Sequence, residues 1–183
     1  MRVAKAAVSV AVIGSVLLGG TPVFAATLPS TPAGGSVKLF ATPSNGLHST
    51  ILMTGAIGDY GNALSIDKNG TSDSNGNYVK VTLQQGGFEI NSTTLDAKAN
   101  KAQPTFYTAT CSAWLSLAGP VTLFNGTGLY TGIAGTLTVT ETAAFILPRF
   151  TSGKDKGKCN ASNNAQPLKQ YASIVGTGSV SFS

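Results

Sequence analysis

Glu141 lies in the run Leu137-Thr138-Val139-Thr140-Glu141-Thr142-Ala143-Ala144-Phe145-Ile146-Leu147, in which apolar and hydroxyl residues alternate. Residues two apart in an extended strand share a face. Glu141 therefore shares its face with Leu137, Val139, Ala143, Phe145 and Leu147, and Thr136, Thr138, Thr140 and Thr142 take the other. An acid among apolar neighbours loses solvation, its ionised form is disfavoured, and it becomes suited to act as acid, base or ligand anchor. A bulge, a position at a barrel mouth, or an ion pair with Arg149 would each remove that chemistry.

Other chemistries lack their residues. His48 is the only histidine, and no G-x-S-x-G turn presents a nucleophile to it, so a Ser-His-Asp triad has no basis. One histidine and two cysteines do not make a zinc site. Gly126-Thr127-Gly128 is followed by Gly132, one place too late for a dinucleotide loop, and by a strand pattern rather than a helix. Gly153-Lys154-Asp155-Lys156-Gly157-Lys158 misses the phosphate-loop spacing and ends in Cys159. Asp67-Lys68-Asn69-Gly70 and Asp73-Ser74-Asn75-Gly76-Asn77 offer oxygen donors of the kind calcium takes, but without the EF-hand spacing, and such segments ordinarily form turns. Arg149, Lys154, Lys156 and Lys158 are the one basic cluster, read as a solvated loop or as a contact to an anionic surface polymer. Without interleaved aromatics, nucleic acid is not expected. The expectation is thus no metal and no cofactor.

The elements that must position these residues are strands. Of 183 residues, 10% are charged and 42% hydrophobic, which excludes a solvated disordered chain. Strand patterns cover Thr50–Ile57, Ala63–Ile66, Tyr78–Gln84, Thr105–Leu117, Val121–Phe124, Ile133–Leu147 and Tyr171–Phe182; Leu95–Ala102 is the one helical hint. Gly86-Gly87 changes the parity of the apolar row so that Phe88 and Ile90 carry it, which implies a bulge or a sharp bend. The expected fold is all-β, an antiparallel eight-stranded barrel, with a β-sandwich as the alternative. A lipid-facing barrel shows the same alternation but needs aromatic girdles, and the aromatics here are dispersed along the chain.

Residues 1–25 read as a signal peptide: Arg2 and Lys5, an apolar run from Ala6 to Gly20, and Val23-Phe24-Ala25 before the cut. The run is too short to span a bilayer, so no stable membrane span is expected after cleavage and the protein is expected to be secreted. Two of the 12 basic residues leave with the leader, and the formal charge of +5 falls to +3, too little to argue a polyanion partner. Residues 26–48, rich in Pro, Thr and Gly, read as a linker with at most an edge strand at Ser36–Phe40; residues 49–183 read as the barrel domain. In an oxidising compartment Cys111 and Cys159 are expected to form one disulfide.

The segment Phe124-Asn125-Gly126-Thr127-Gly128-Leu129-Tyr130-Thr131-Gly132-Ile133-Ala134-Gly135-Thr136 resembles a signature of the dirigent and allene oxide cyclase barrels. Gly176-Thr177-Gly178-Ser179-Val180-Ser181-Phe182 is similar to their closing strand. Thr54-Gly55-Ala56-Ile57-Gly58-Asp59-Tyr60-Gly61 is similar to segments of small secreted bacterial members. The resemblance covers roughly residues 50–182. It implies a calycin-like barrel with an internal cavity, in a group whose plant members cyclise a fatty-acid epoxide or steer radical coupling. None of their functional side chains is carried over to this chain. Three functions follow as expectations: non-enzymatic binding of a small apolar ligand or a cell-surface partner, which is preferred; a cofactor-independent isomerase or cyclase; and a structural cell-envelope protein. Glu141, Tyr130 and Arg149 are the candidate site residues for the first two.

Overall fold

The computed structural model describes residues 33–162 and 165–183. The leader expected at 1–25 lies outside the described residues. The elements are β1 Gly35–Pro43, β2 His48–Gly55, β3 Asp59–Ile66, β4 Tyr78–Leu83, β5 Gly86–Asn91, α1 Thr93–Ala99, β6 Thr105–Tyr107, β7 Ser112–Gly128, β8 Ala134–Ile146 and β9 Lys169–Ser181. All pairings are antiparallel. The ladder runs β5-β4-β3-β2-β1-β9-β8-β7 and closes through β5 on β7, with β6 a short flap on the start of β7. This is an eight-stranded up-and-down barrel, as the alternation implies, and not a sandwich; closure leaves no free edge between its eight strands.

The inward rows are Val37, Leu39 and Ala41; Ile51 and Met53; Val81 and Leu83; Phe88 and Ile90; Val121 and Leu123; Leu137 and Val139; and Val180, all buried. The outward rows are hydroxyl-rich: Thr136, Thr138 and Thr140 of β8 are exposed beside Ser179, Thr177 and Val175 of β9. A barrel facing lipid would place its apolar residues outside, so this one has the polarity of a barrel built around its own core. Among the described residues no helix is long and apolar enough to cross a membrane.

Three sequence readings change and one alternative resolves. The segment read as a linker to residue 48 contributes β1, and this strand is no edge: it pairs with β2 on one side and β9 on the other. Its flanking Pro32 and Pro43 hide a plain alternation of Val37, Leu39 and Ala41. The parity change at Gly86-Gly87 is the sharp bend of the β4–β5 hairpin, whose turn is Gln84-Gln85. The irregularity nearby belongs to β7: between Gly87 and Glu89 of β5 the register on β7 jumps from Thr127 to Phe124, with Asn125 left-handed at φ 53°. Val121–Phe124 is no separate strand, because β7 runs unbroken through Gly119-Pro120. Proline is tolerated there because β5 pairs with β7 only from Thr122 onward, which leaves that side of the strand free of a ladder. The helix lies slightly earlier than the hint at Leu95–Ala102, at Thr93–Ala99.

Cys111 and Cys159 are bridged, tying the residue before β7 to the loop that joins β8 to β9. Arg149 fastens the same loop by donating to the carbonyls of Gly157 and Ala109, both at 2.7 Å.

Candidate functional site

The two ends of the barrel differ. At one end the β7–β8 turn, with Gly128 and Gly132 at φ 60° and 76°, folds Tyr130 back into the interior. Tyr130 is fully buried, meets Phe88 edge to face, and donates its hydroxyl to Asp59 Oδ2 at 2.7 Å. Asp59, only 4% exposed, also accepts from the backbone N–H of Tyr60 and Gln85. Burial pushes this carboxyl up. The hydrogen bonds from Tyr130, Tyr60, Gln85 and Gln84 outweigh that and hold it below its usual range. Burial and the neighbouring Asp59 together push the Tyr130 hydroxyl well above its ordinary range. Segments 54–61 and 124–136 thus meet in one buried hydrogen bond, and this end is filled.

The other end is hollow. A cavity of about 360 Å³ opens among the β1–β2 turn, the β3–β4 loop, α1 and the ends of β7, β8 and β9. Its floor is apolar, from Leu39, Ile51, Val79, Val121 and Val139. Helix α1 walls one side because Leu95 is buried against β7, where a Cβ on Gly119 would stand 3.0 Å from Leu95 Cδ1; the bare glycine lets the helix seat closely.

Glu141 lines this cavity, as the parity of β8 implies. Its register is unbroken, with Leu117 beside it on β7 and Ile174 on β9, so no bulge turns it outward. Burial raises its carboxyl above the usual range, and the negative charge of Asp96 raises it further. Asp96 enters the lining from α1, also raised by burial and partly restored by the hydrogen bond from Ser92 Oγ at 2.7 Å. Among the described residues Glu141 has no hydrogen-bond or ion-pair partner. Arg149 does not serve it, being turned to the loop carbonyls of Gly157 and Ala109, and Tyr130 belongs to the filled end; neither lines the cavity. Asp96 was invisible as a site residue in the sequence, because only barrel closure seats α1 on β7 and brings Asp96 into the same lining as Glu141.

A carboxyl raised by folding keeps its proton in the folded state at pH values where the unfolded chain has released it. Stability is therefore lost as pH rises from the ordinary carboxylate range through the raised value. Glu141→Gln removes that loss: it is expected to stabilise at neutral pH, on the order of 1 kcal/mol, and to change little below the carboxylate range. Thermal melts of both proteins across pH check this, and a destabilised variant at neutral pH would refute it.

The remaining sequence candidates are structural or exposed. Asp67 Oδ1 accepts from the N–H groups of Asn69 and Thr71, and Asp73 Oδ1 from that of Asn75, which are turn-forming bonds. Among the described residues no three His, Cys, Asp or Glu side chains come together as a metal site would require. The basic loop is solvent-facing, with Lys158 paired to Asp155. His48 is exposed at the start of β2.

Sequence reading also missed a surface. Three of the aromatics dispersed along the chain, Tyr107, Trp114 and Tyr171, lie together on the outer face of β6, β7 and β9. Trp114 and Tyr171 flank Ala144 in register, with Tyr107 and Ile146 in the next row, all exposed, around a shallow cleft of about 330 Å³.

The chain matches no protein-family model, no curated protein and no solved structure.

Proposed function

We propose that this chain is a secreted, non-enzymatic barrel that holds a small, mainly apolar ligand in the cavity at its open end. The observation that carries this reading is the cavity itself. Its volume of about 360 Å³ falls within the range of ligand pockets, and its floor is a continuous surface of aliphatic side chains. The leader-like start and the disulfide support export. The resemblance of residues 124–136 to the dirigent and allene oxide cyclase barrels supports a cavity-bearing member of that group. A cell-surface partner in the same reading would meet the aromatic face around Trp114.

Titration with the neutral dye N-phenyl-1-naphthylamine tests the proposal. Saturable fluorescence enhancement at one dye per chain is expected, and Val139→Trp, which fills the floor, is expected to reduce it at least about tenfold. Absence of saturable binding, or equal binding by a folded Val139→Trp variant, would sink the reading.

A second reading, a cofactor-independent isomerase or cyclase, draws on Glu141 alone, an unpaired and partly desolvated acid inside the cavity. Loss of turnover with retained ligand binding in Glu141→Gln would favour it. A purely structural envelope protein gains least, since a filled barrel would serve that role better.

A further inference from the structure

Resting on the reading of the cavity as a ligand site, its lining also selects a class of ligand. The floor is aliphatic, but the mouth carries charge of one sign only. Among the described residues Asp96 and Glu141 are the only ionisable side chains in the lining, with no Lys, Arg or His. The charged neighbours on adjoining elements point elsewhere: Lys98 of α1 donates to the Ala118 carbonyl at 3.0 Å, and Arg149 holds its own loop. Asp96 has one oxygen engaged by Ser92, and Glu141 has both free of partners among the described residues.

We infer that the cavity takes a cationic amphiphile, an apolar chain or ring system ending in a protonated amine whose ammonium group sits between Glu141 and Asp96. An ammonium brings three N–H donors and no acceptor, which matches two carboxylates with acceptor capacity to spare, Asp96 at the oxygen that Ser92 leaves open and Glu141 at both. Its charge converts the mutual repulsion of the two acids into two attractions, at a site partly removed from water where such bonds are stronger than between neutral groups. A fatty acid would add a third negative charge to the same mouth, and a neutral alcohol would supply one donor without charge. Among the described residues no third acidic, His or Cys side chain joins the pair, so the site lacks the cluster of charged ligands that a transition metal takes.

Calorimetric titration of the disulfide-bonded protein with n-octylamine, n-octanol and octanoate at neutral pH tests this, the amine being protonated there as a lysine is. Octylamine is expected to bind at least about tenfold more tightly than octanol, with octanoate weakest. Glu141→Gln is expected to remove most of the preference for octylamine over octanol, Asp96 alone keeping a remainder, with far-UV circular dichroism showing that the variant is folded. Octanol or octanoate binding as well as octylamine would overturn the cationic preference and leave the cavity reading standing. A preference for octylamine that is undiminished in Glu141→Gln would overturn the placement of the ammonium. Binding of none of the three would overturn the cavity reading and this inference together.

Discussion

Asp59→Ala is expected to cost about 3–5 kcal/mol of folding stability, summed over the buried donors it leaves unpaired. Tyr130 would lose the acceptor of its hydroxyl in a fully buried position, and the N–H groups of Tyr60 and Gln85 would lose theirs. Tyr130→Phe removes one donor and leaves the carboxylate held by backbone, so it should cost less, about 1–2 kcal/mol. The ordering separates a hydrogen-bond hub from simple packing: if packing dominated, truncating nothing but a hydroxyl would still be mild, but removing a small acid would be mild too. The pH dependence gives a second readout. Hydrogen bonding holds the folded-state carboxyl of Asp59 below its ordinary range. Its contribution is therefore present above the unfolded-state value and lost as pH falls through the lowered folded value. The gap between wild type and Asp59→Ala should narrow as the medium becomes strongly acidic. Urea unfolding across pH measures both, and a loss of under about 1 kcal/mol at neutral pH would refute the hub.

The same residue shows what the sequence can and cannot disclose. Asp59 and Tyr130 each stand inside a glycine-rich segment, but nothing in either segment announces the other, because their contact depends on β5 closing against β7. Strands were legible wherever a two-residue alternation was undisturbed, as in β4 and β8, and the inward direction of Glu141 followed from that alternation alone. Legibility failed where proline or glycine outweighed the pattern. Pro43 and the glycines before Val37 made β1 look like a linker, although Val37, Leu39 and Ala41 are all buried. Pro120 made one strand of 17 residues look like two. Asp96 failed for a different reason: a short helix next to a strand gives no hint of which barrel end it covers, and the acid's role appears only when the cavity exists. Arg149 and Tyr130 were plausible partners for Glu141 by chemistry, but Arg149 is bound to loop carbonyls, Tyr130 to Asp59, and neither lines the cavity.

Removing the Cys111–Cys159 bridge as the double Ser variant is expected to cost about 4 kcal/mol, the loop-closure entropy of a 48-residue separation. The effect should fall unevenly. The bridge fastens the residue before β7 to the long connection between β8 and β9, so without it that connection is held by Arg149 and by an isolated bridge pairing that itself involves Cys159. The β8–β9 ladder, from Ala134↔Ser181 to Ile146↔Lys169, does not depend on the bridge and should keep the barrel closed. The end of that ladder that frays first carries Ala143 and Ala172, which line the cavity mouth. Loss of the bridge should therefore weaken dye binding as well as stability, whereas Asp59→Ala, acting at the filled end, should reduce stability and leave binding by the folded fraction unchanged. Denaturant unfolding of the oxidised protein and the double variant, paired with dye titration of each, separates the two ends of the barrel. Thiol labelling of the unfolded wild type without reductant should find no free thiol. Two labelled thiols would refute the bridge, and a stability loss under about 1 kcal/mol would refute its entropic role.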